Sequence, residues 1–368
     1  MRLVLVVNSG SSSLKYQVVD VDTDQALLQG ALERVNDHTA AFEKMLLELT
    51  ESKLEPVAVG HRVVHGGAKF SKPTLVLEAV IAEIEQLRPL APLHNPGNLE
   101  GIKAATKAFP ELPQVAIFDT AFHQSMPESS WRYAIDRGVA DKHGIRKYGF
   151  HGTSYAFVTA RTAKFLGKKP TDLNAVIMHL GNGASICAVK NGESFDTSMG
   201  MTPLPGLVMG TRSGDIDAGL ALYLERVADM DVNQVDQLLN AESGMLGLTG
   251  MVDMRDIAEK AAAGDVDSKT ALEIYAERIR HYLGGYIARL GRVDAVVFTA
   301  GVGENSSIIR QMVCENLEAL GIEIDDAKNL ERQENARDIS TSSSRVKVLV
   351  VPTNEELEIA HQTAALLK

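Results

Sequence analysis

Apolar residues recur along this chain with two periods, and the elements they predict alternate. Leu3 to Val7 is a continuous, valine-rich run stopped by Asn8-Ser9-Gly10, the pattern of a buried strand ended by a turn. Leu14 to Val19 follows, broken by Lys15 and Gln17, so the chain is predicted to open with a β-hairpin whose turn is Asn8 to Ser13. The pattern returns near the middle. Ala175 to Met178 is apolar, His179 to Ser185 is mostly small and polar, and Ile186 to Val189 is apolar again. A shift of 172 residues places Val4 on Val176, Ser13 on Ser185 and Leu14 on Ile186, and two such units half a chain apart predict two related domains.

A third strand, Asp294 to Ala300, leads into Gly301-Val302-Gly303-Glu304-Asn305-Ser306. Beyond it, Ile308, Ile309, Met312, Val313, Leu317 and Leu320 follow a helical period. This predicts one amphipathic helix, capped by Asn305 or Ser306 and closed by Gly321. Leu272, Tyr275, Ile279, Leu283, Tyr286 and Leu290 mark a long helix before that strand. Phe42 to Leu49 reads as an early helix, Val346 to Val351 as a late strand, and Glu355 to Leu367 as a closing helix after Pro352. Strands alternating with helices predict an α/β fold. No low-complexity linker separates the halves, and the boundary is expected near Phe150, with domains at 1–150 and 151–355.

Composition narrows the functional classes. The chain has 368 residues, 45% apolar and 23% charged, enough for a core in each of two domains. A net charge of −11 argues against a nucleic-acid groove or an anionic membrane surface. Cys187 and Cys314 are the two cysteines, far apart and outside any CxxC pair, so neither a disulfide framework nor a structural zinc site is expected. The first apolar run is too short for a signal peptide and no run approaches a membrane span, so the reading is cytoplasmic.

Small-residue turns after strands are the first candidate chemistry. Asn8 to Ser13 lets backbone N–H groups approach a phosphate, with Lys15 in reach of the same anion; an ordinary serine-rich hairpin turn is the plain alternative. Gly181-Asn182-Gly183 and Gly301-Val302-Gly303 also follow strands, but neither completes GxGxxG and no GxxxxGK[ST] occurs. Three such turns, one of them opening a helix, argue for phosphate binding better than any one alone. Arg62, set among valines and glycines in Gly60 to Gly67, calls for an anionic partner. His61 and His65 flank it at i, i+4, but no glutamate lies between them and no third ligand is near, which argues against zinc. Asp119 follows the apolar run Val115-Ala116-Ile117 and reads either as a site carboxylate at a strand end or as a helix N-cap. Tyr148 to Ser154 and Gly210 to Asp215 are glycine-framed loops carrying His151 and Arg212. Thr353-Asn354-Glu355-Glu356 is either a site or an acidic first helical turn.

Taken in order, these segments resemble the acetate kinase family. The matching runs are Asn8 to Lys15, His61 to Gly67, Phe118 to His123, Tyr148 to Ser154, His179 to Ser185, Gly210 to Asp215, Thr299 to Asn305 and Thr353 to Glu356. The resemblance implies a duplicated ribonuclease-H-like fold of the acetate and sugar kinase/Hsp70/actin superfamily, with nucleotide in a cleft and the closing helix, 356–368, packed back on the first domain. It implies Mg²⁺-dependent (alternatively Mn²⁺-dependent) phosphoryl transfer between ATP and acetate, giving ADP and acetyl phosphate, in a cytoplasmic homodimer.

By the same matching, Asn8 and Glu355 would help to hold the metal. Lys15, His179, Leu180, Gly181, Asn182, Gly183, Asp253, Met254, Arg255, Gly301, Val302, Gly303, Glu304 and Asn305 would contact the nucleotide. Arg62 would bind the carboxylate, and Val64, Leu93, Phe150 and Pro203 would enclose the methyl group. Asp119 would be the catalytic acidic residue, and His151 and Arg212 would stabilise the transition state.

These residue types suit a phosphoryl group that spreads negative charge over its oxygens in flight. A carboxylate substrate is already ionised at pH 7, so Asp119 is expected to orient an arginine or the hydrated metal rather than to remove a proton. A propionate or butyrate kinase is the near alternative, because one methylene changes discrimination by only ~1–3 kcal/mol. An actin- or Hsp70-like ATP switch is the remote one, since it has no need of Arg62, Asp119, His151 and Arg212 together. Two departures stand out. The chain is short after Glu33-Arg34-Val35, where the family carries an extra hairpin, and Tyr155 stands where the family has histidine.

Overall fold

The computed structural model describes residues 2–10, 13–33, 38–92 and 94–367, with the backbone alone at 38 and 39. The chain divides into two units. The first comprises the residues up to Gln124, Phe150–Phe157 and the chain from Asn354 on; the second comprises Ser125–Gly149 and Val158–Thr353.

The first unit is built on a six-stranded sheet in the order β3-β2-β1-β4-β6-β5. The strands are β1 (Leu3–Ser9), β2 (Ser13–Asp20), β3 (Gln25–Glu33), β4 (Ala58–Val63), β5 (Thr74–Leu75) and β6 (Gln114–Phe118). β1, β2 and β3 form an antiparallel meander, with Asn8 opposite Lys15. β4 runs parallel to β1 and β6 parallel to β4. The predicted hairpin is therefore present; Ser11 and Ser12 in its turn lie outside the described residues.

Because β1, β4 and β6 are covered on both faces, they read as continuous apolar runs rather than alternating ones. Leu3, Leu5 and Val7 pack with Tyr16, Val18 and the Phe42, Met45 and Leu49 of the helix His38–Ser52. The helix Glu355–Leu366 lies across β4 so closely that a Cβ at Gly60 would stand 2.4 Å from Thr363 Oγ1 and 2.9 Å from Ile359 Cγ2. The expected shortening falls on residues 34–37, outside the described residues.

The second unit repeats the plan. Its strands are β7 (Ala175–Leu180), β8 (Ala184–Lys190), β9 (Glu193–Thr197), β10 (Ala295–Thr299), β11 (Arg337–Asp338) and β12 (Lys347–Val350). The sheet order is β11-β12-β10-β7-β8-β9. β7, β8 and β9 form the meander, β10 is parallel to β7, β12 is parallel to β10, and the short β11 closes the edge antiparallel. Read from the meander outward, both sheets have the same strand order and the same directions. The weak sequence repeat is thus a structural duplication, and the fold class is α/β with two mixed sheets and helices.

The long helix runs Val266–Leu290 and starts on Asp265, whose side chain accepts from Ser268 N–H. The helix expected from Ile308 to Leu320 differs. A single turn of helix, Ala300–Asn305, precedes it, and Ser306 then caps Ser307–Cys314, which ends six residues before Leu320. The cause is tertiary. Arg280 Nη1 donates to the carbonyls of Met312 (3.1 Å), Val313 (3.3 Å) and Glu315 (2.6 Å), so the terminal carbonyls are satisfied without a further turn. Gly321, at φ +78°, closes only the short turn Glu318–Leu320. Among the described residues no helix is long and apolar enough to cross a membrane, and Cys187 and Cys314 are free and buried.

Candidate functional site

In the first unit the predicted residues gather at the carboxyl ends of β1, β4 and β6, where open α/β sheets place their ligands. Arg62 is the second-to-last residue of β4, and Asp119 directly follows β6. Parallel pairing of Val63 with Phe118 brings the two strand ends together, and Asp119 N–H donates to Val63 O at 3.0 Å. The Arg62 guanidinium then meets Asp119 with both prongs of its fork, Nε to Oδ1 at 3.1 Å and Nη2 to Oδ2 at 2.6 Å. Asp119 is buried and Arg62 half-buried. The Asp119 carboxylate is thus paired with an arginine rather than spent on capping a helix.

Glu355 joins this pair from the first turn of the closing helix, with Oε2 3.8 Å from Arg62 Nε. Burial, reinforced by Asp119 and Glu356, lifts the Glu355 carboxyl well above the usual carboxylate range against the pull of Arg62. Burial alone would weaken the charge on Arg62; Asp119, Glu355 and Glu356 outweigh it and hold the guanidinium above its ordinary pKa.

The backbone around the pair is fixed by residues that carry no motif signal. Asn98 is buried on the helix Asn95–Ala108 and bridges two strand ends. Its Oδ1 accepts from Val64 N–H at 3.0 Å, and its Nδ2 donates to Ser9 O at 2.6 Å. Asn95 does the same for both backbone groups of His65, at 3.1 Å each. Thr120 Oγ1 accepts from Gly66 N–H at 3.0 Å. Sequence reading missed Asn98 and Thr120. Their signal, a buried polar residue beside a strand end, appears only once the sheet is formed.

Val64 is buried beside this pair, and Phe150 packs edge-on against His65 at 5.5 Å. His123 Nε2–H donates to Phe150 O at 2.9 Å. His151 follows at φ +59°, a conformation uncommon for a residue with a side chain. Gly152 N–H donates to Asp119 O at 2.8 Å, and a Cβ on Gly152 would lie 2.2 Å from that oxygen. Tyr155 is buried, stacked on Phe122 at 6.3 Å and edge-on to His123 at 5.4 Å. Leu93 lies outside the described residues. Asn8 is half-buried at the end of β1, and Lys15 is exposed on β2.

The second unit carries a cavity of about 980 Å³. Gly181, Asn182, Asp253, Met254, Arg255, Gly301, Val302 and Asn305 all line it. Its size is that of sites that take drug-sized ligands. Asp253 caps the helix Met254–Ala262 by accepting from Arg255 N–H, and Arg255 Nη2 reaches its Oδ2 at 2.5 Å; this hydrogen-bonded guanidinium holds the Asp253 carboxyl at about 2.

The turn after β10 is tight, with Ala300 at φ +64°. Glu304 faces inward, Oε1 accepting from Ala300 N–H at 2.8 Å and Thr353 N–H at 3.1 Å. Behind it the buried Arg310 donates to Gly303 O and Glu304 O, each at 2.9 Å, and to Asn329 Oδ1 at 2.7 Å. His179, Leu180, Gly183, Gly303 and Glu304, expected at the nucleotide, do not line the cavity. Met245, Val252 and Arg332 line it without having been singled out in the sequence, and Tyr275 and Ile308, read there only as helix positions, line it too.

Arg212 and Pro203 also belong to the second unit, and Arg212 Nη1 donates to Pro203 O at 2.8 Å. Burial lowers the Arg212 pKa from its ordinary value.

Comparison with known proteins agrees with this geometry. The model of the acetokinase family matches residues 30–361. The acetate kinase of Clavibacter michiganensis is 52% identical, covering 99% of each chain. That alignment spans 392 positions against 368 residues here, so the relative carries segments this chain lacks. The acetate kinase of Streptomyces coelicolor is 50% identical over 99% of this chain and 97% of its own. Among solved structures, the acetate kinase of Porphyromonas gingivalis superposes with a TM-score of 0.96 at 41% identity over the whole of both chains. A propionate kinase from Francisella tularensis superposes with a TM-score of 0.94 at 42% identity, covering 99% of this chain and all of its own. With a duplicated fold, a paired arginine and aspartate at the strand ends and full-length similarity, this chain belongs to the acetokinase family.

Proposed function

We propose that this protein reversibly transfers the γ-phosphoryl group of ATP to acetate, giving acetyl phosphate and ADP by direct in-line displacement. The observation that carries the reading is the Arg62–Asp119 pair beside Glu355. A half-buried guanidinium whose fork is already oriented keeps a remaining N–H edge for a small carboxylate, and Val64 and Phe150 supply apolar surface for a methyl group.

Arg62 binds and aims the acetate oxygen that attacks. Asp119 holds Arg62 in that orientation, because an ionised substrate leaves it no proton to remove. Arg212 and His151 present donors to the equatorial oxygens of the moving phosphoryl group, so positioning and charge supply most of the acceleration. The residues lining the second unit's cavity hold the nucleotide.

The donor set fits Mg²⁺. Asn8 offers a neutral oxygen and Glu355 a carboxylate whose ionisation is costly until a cation sits beside it. Among the described residues no three His, Cys, Asp or Glu side chains cluster as a metal cage. That suits an ion held by one or two carboxylates plus substrate phosphates. Such an ion would offset repulsion between acetate and the ATP phosphates; Mn²⁺ has the same preference for oxygen ligands.

The carboxylate is assigned to a first domain, 1–150 with the closing helix, and the nucleotide to a second, 151–355; the two compact units differ from these limits in that Ser125–Gly149 groups with the second and Phe150–Phe157 with the first. A cytoplasmic homodimer completes the reading, supported by the exposed apolar side chains Leu222, Tyr223, Val227 and Val232 along two helices of the second unit.

The test is ADP release from Mg-ATP with acetate, propionate and butyrate in parallel, with hydroxylamine trapping any acyl phosphate. Acyl hydroxamate formed in step with ADP, and fastest with acetate, is the expected result. ADP without hydroxamate from a folded protein refutes the transfer, and a faster turnover of propionate refutes the substrate.

A further inference from the structure

We infer that Asp215 and Tyr282 are positioning residues for Arg212, an inference that rests on the reading of Arg212 as the phosphoryl-facing cation. Between β9 and the helix Ala218–Val227 the chain runs through residues 198–217 without helix or strand. An irregular segment of that length inside a domain is uncommon and is usually functional. It carries both Pro203 and Arg212, and without a strand ladder or helix the spacing of its two arms must be fixed by individual bonds.

Asp215 supplies that fixation. Its backbone N–H donates to Gly206 O at 3.0 Å, and its Oδ1 accepts from Gly206 N–H at 2.8 Å. These two bonds close the segment on itself. Gly214, at φ +71°, lets the two arms meet, since a Cβ there would stand 2.5 Å from Leu207 O and 2.7 Å from Gly206 O.

The other carboxylate oxygen ties the closed segment to a rigid element. Oδ2 accepts from Tyr282 O–H at 2.6 Å and lies 3.4 Å from Arg278 Nη1, which also donates to Asp215 O at 3.3 Å. Arg278 and Tyr282 stand four residues apart on the 25-residue helix Val266–Leu290, so they present one face to the loop.

Arg212 depends on this arrangement. Among the described residues its side chain makes one hydrogen bond, to Pro203 O on the opposite arm, and no carboxylate pairs with it. Its backbone is held by Met209 N–H donating to Arg212 O and by Ser213 N–H donating to Leu239 O, each at 3.1 Å; the direction of its side chain then turns on where the Pro203 arm stands, which Asp215 fixes through Gly206. A guanidinium displaced by about 1 Å from a phosphoryl oxygen can lose about a hundredfold in rate. Gly210-Thr-Arg-Ser-Gly-Asp215 is thus one device, with the arginine at its tip and the aspartate as its foot.

The test is a double-mutant cycle on the full-length protein, read as kcat with saturating substrates and as ADP affinity by calorimetry. Tyr282→Phe removes one hydroxyl. It is expected to lower kcat about tenfold while leaving the thermal midpoint within a few degrees and the KM for ATP and the ADP affinity within twofold. Asp215→Asn is expected to lower kcat further in the same direction. Arg212→Ala is expected to lower kcat at least a hundredfold, and Tyr282→Phe added to it should change nothing more, because the residue through which it acts is gone.

A Tyr282→Phe variant at the parental rate overturns the inference, as does a tenfold loss that adds in full to that of Arg212→Ala, or a loss shared equally by ADP affinity. An Arg212→Ala variant of undiminished kcat overturns the reading of Arg212 itself, and this inference with it.

Discussion

Replacing Asp119 by asparagine isolates what an aspartate contributes to a reaction that has no proton to move. The change keeps the shape of the side chain and removes its charge. Arg62 now donates to both Asp119 oxygens, at 3.1 and 2.6 Å. In the variant one of those atoms becomes an NH₂ group facing a guanidinium that has only donors to offer. Breaking a buried pair from one side costs about 3–5 kcal/mol. Two features reduce this figure here: the Arg62 side chain is 22% exposed, and Glu355 remains 3.8 Å from its Nε. About 2–3 kcal/mol of positioning is left, which at 1.36 kcal/mol per tenfold corresponds to roughly a 30- to 150-fold fall in kcat/KM for acetate.

The assay is hydroxamate formation with acetate varied at saturating Mg-ATP. The thermal midpoint and ADP affinity, measured alongside, separate misorientation from unfolding; ADP affinity should hold, because the cavity of the second unit is untouched. Asp119→Glu keeps the charge at a displaced position and should fall between the two. Turnover within threefold of the parent, in a protein of unchanged stability, refutes the orienting role.

Three further outcomes follow from the geometry. His61 is buried, with its pKa lowered from 6.5 to about 4 mainly by desolvation, opposed by a 2.7 Å hydrogen bond to Gln114. Between those values the unfolded chain binds the proton and the folded one does not, so stability is fully present above pH 6.5 and about 3 kcal/mol of it is lost as pH falls to about 4. Urea unfolding of His61→Gln across that range should show a correspondingly flatter limb, and an identical slope refutes the assignment. Gly152→Ala would drive a Cβ to 2.2 Å from Asp119 O; kcat should fall more than about tenfold with nucleotide affinity retained, since an overpacked backbone must shift. Arg310→Met would leave the carbonyls of Gly303, Glu304 and Asn329 without their donor, which should cost roughly 3–5 kcal/mol of stability by denaturant unfolding and weaken ADP binding together.

Much of this protein is written locally in its residues. The runs Leu3–Val7, Ala175–Met178 and Val346–Val351 become strands because valine-rich stretches bounded by turns have few other ways to bury themselves. Ser306 caps its helix and Asp265 its own through bonds that span three residues. The weak repeat at 172 residues carries the duplicated topology, and the polar residues stranded among glycines mark the strand ends where Arg62 and Asp119 meet. What the residues alone do not specify are the partners.

Arg62 and Asp119 are 57 residues apart, Asn98 and Ser9 89, Asp215 and Tyr282 67. Each pair is brought to hydrogen-bond distance only by strand register or by a helix laid against the segment. The same reason explains why the helix after Ser306 stops at Cys314: its terminal carbonyls are taken by Arg280, more than 30 residues earlier. Strand and cap signals are short-range preferences of neighbouring residues, whereas a buried charge or amide is decided by whichever distant group the packed sheet delivers to it. Local patterning therefore carries the strands, most helix starts and the family resemblance. That Asp119 holds an arginine, that Glu304 faces inward, and which polar side chains pin the strand ends are settled by packing.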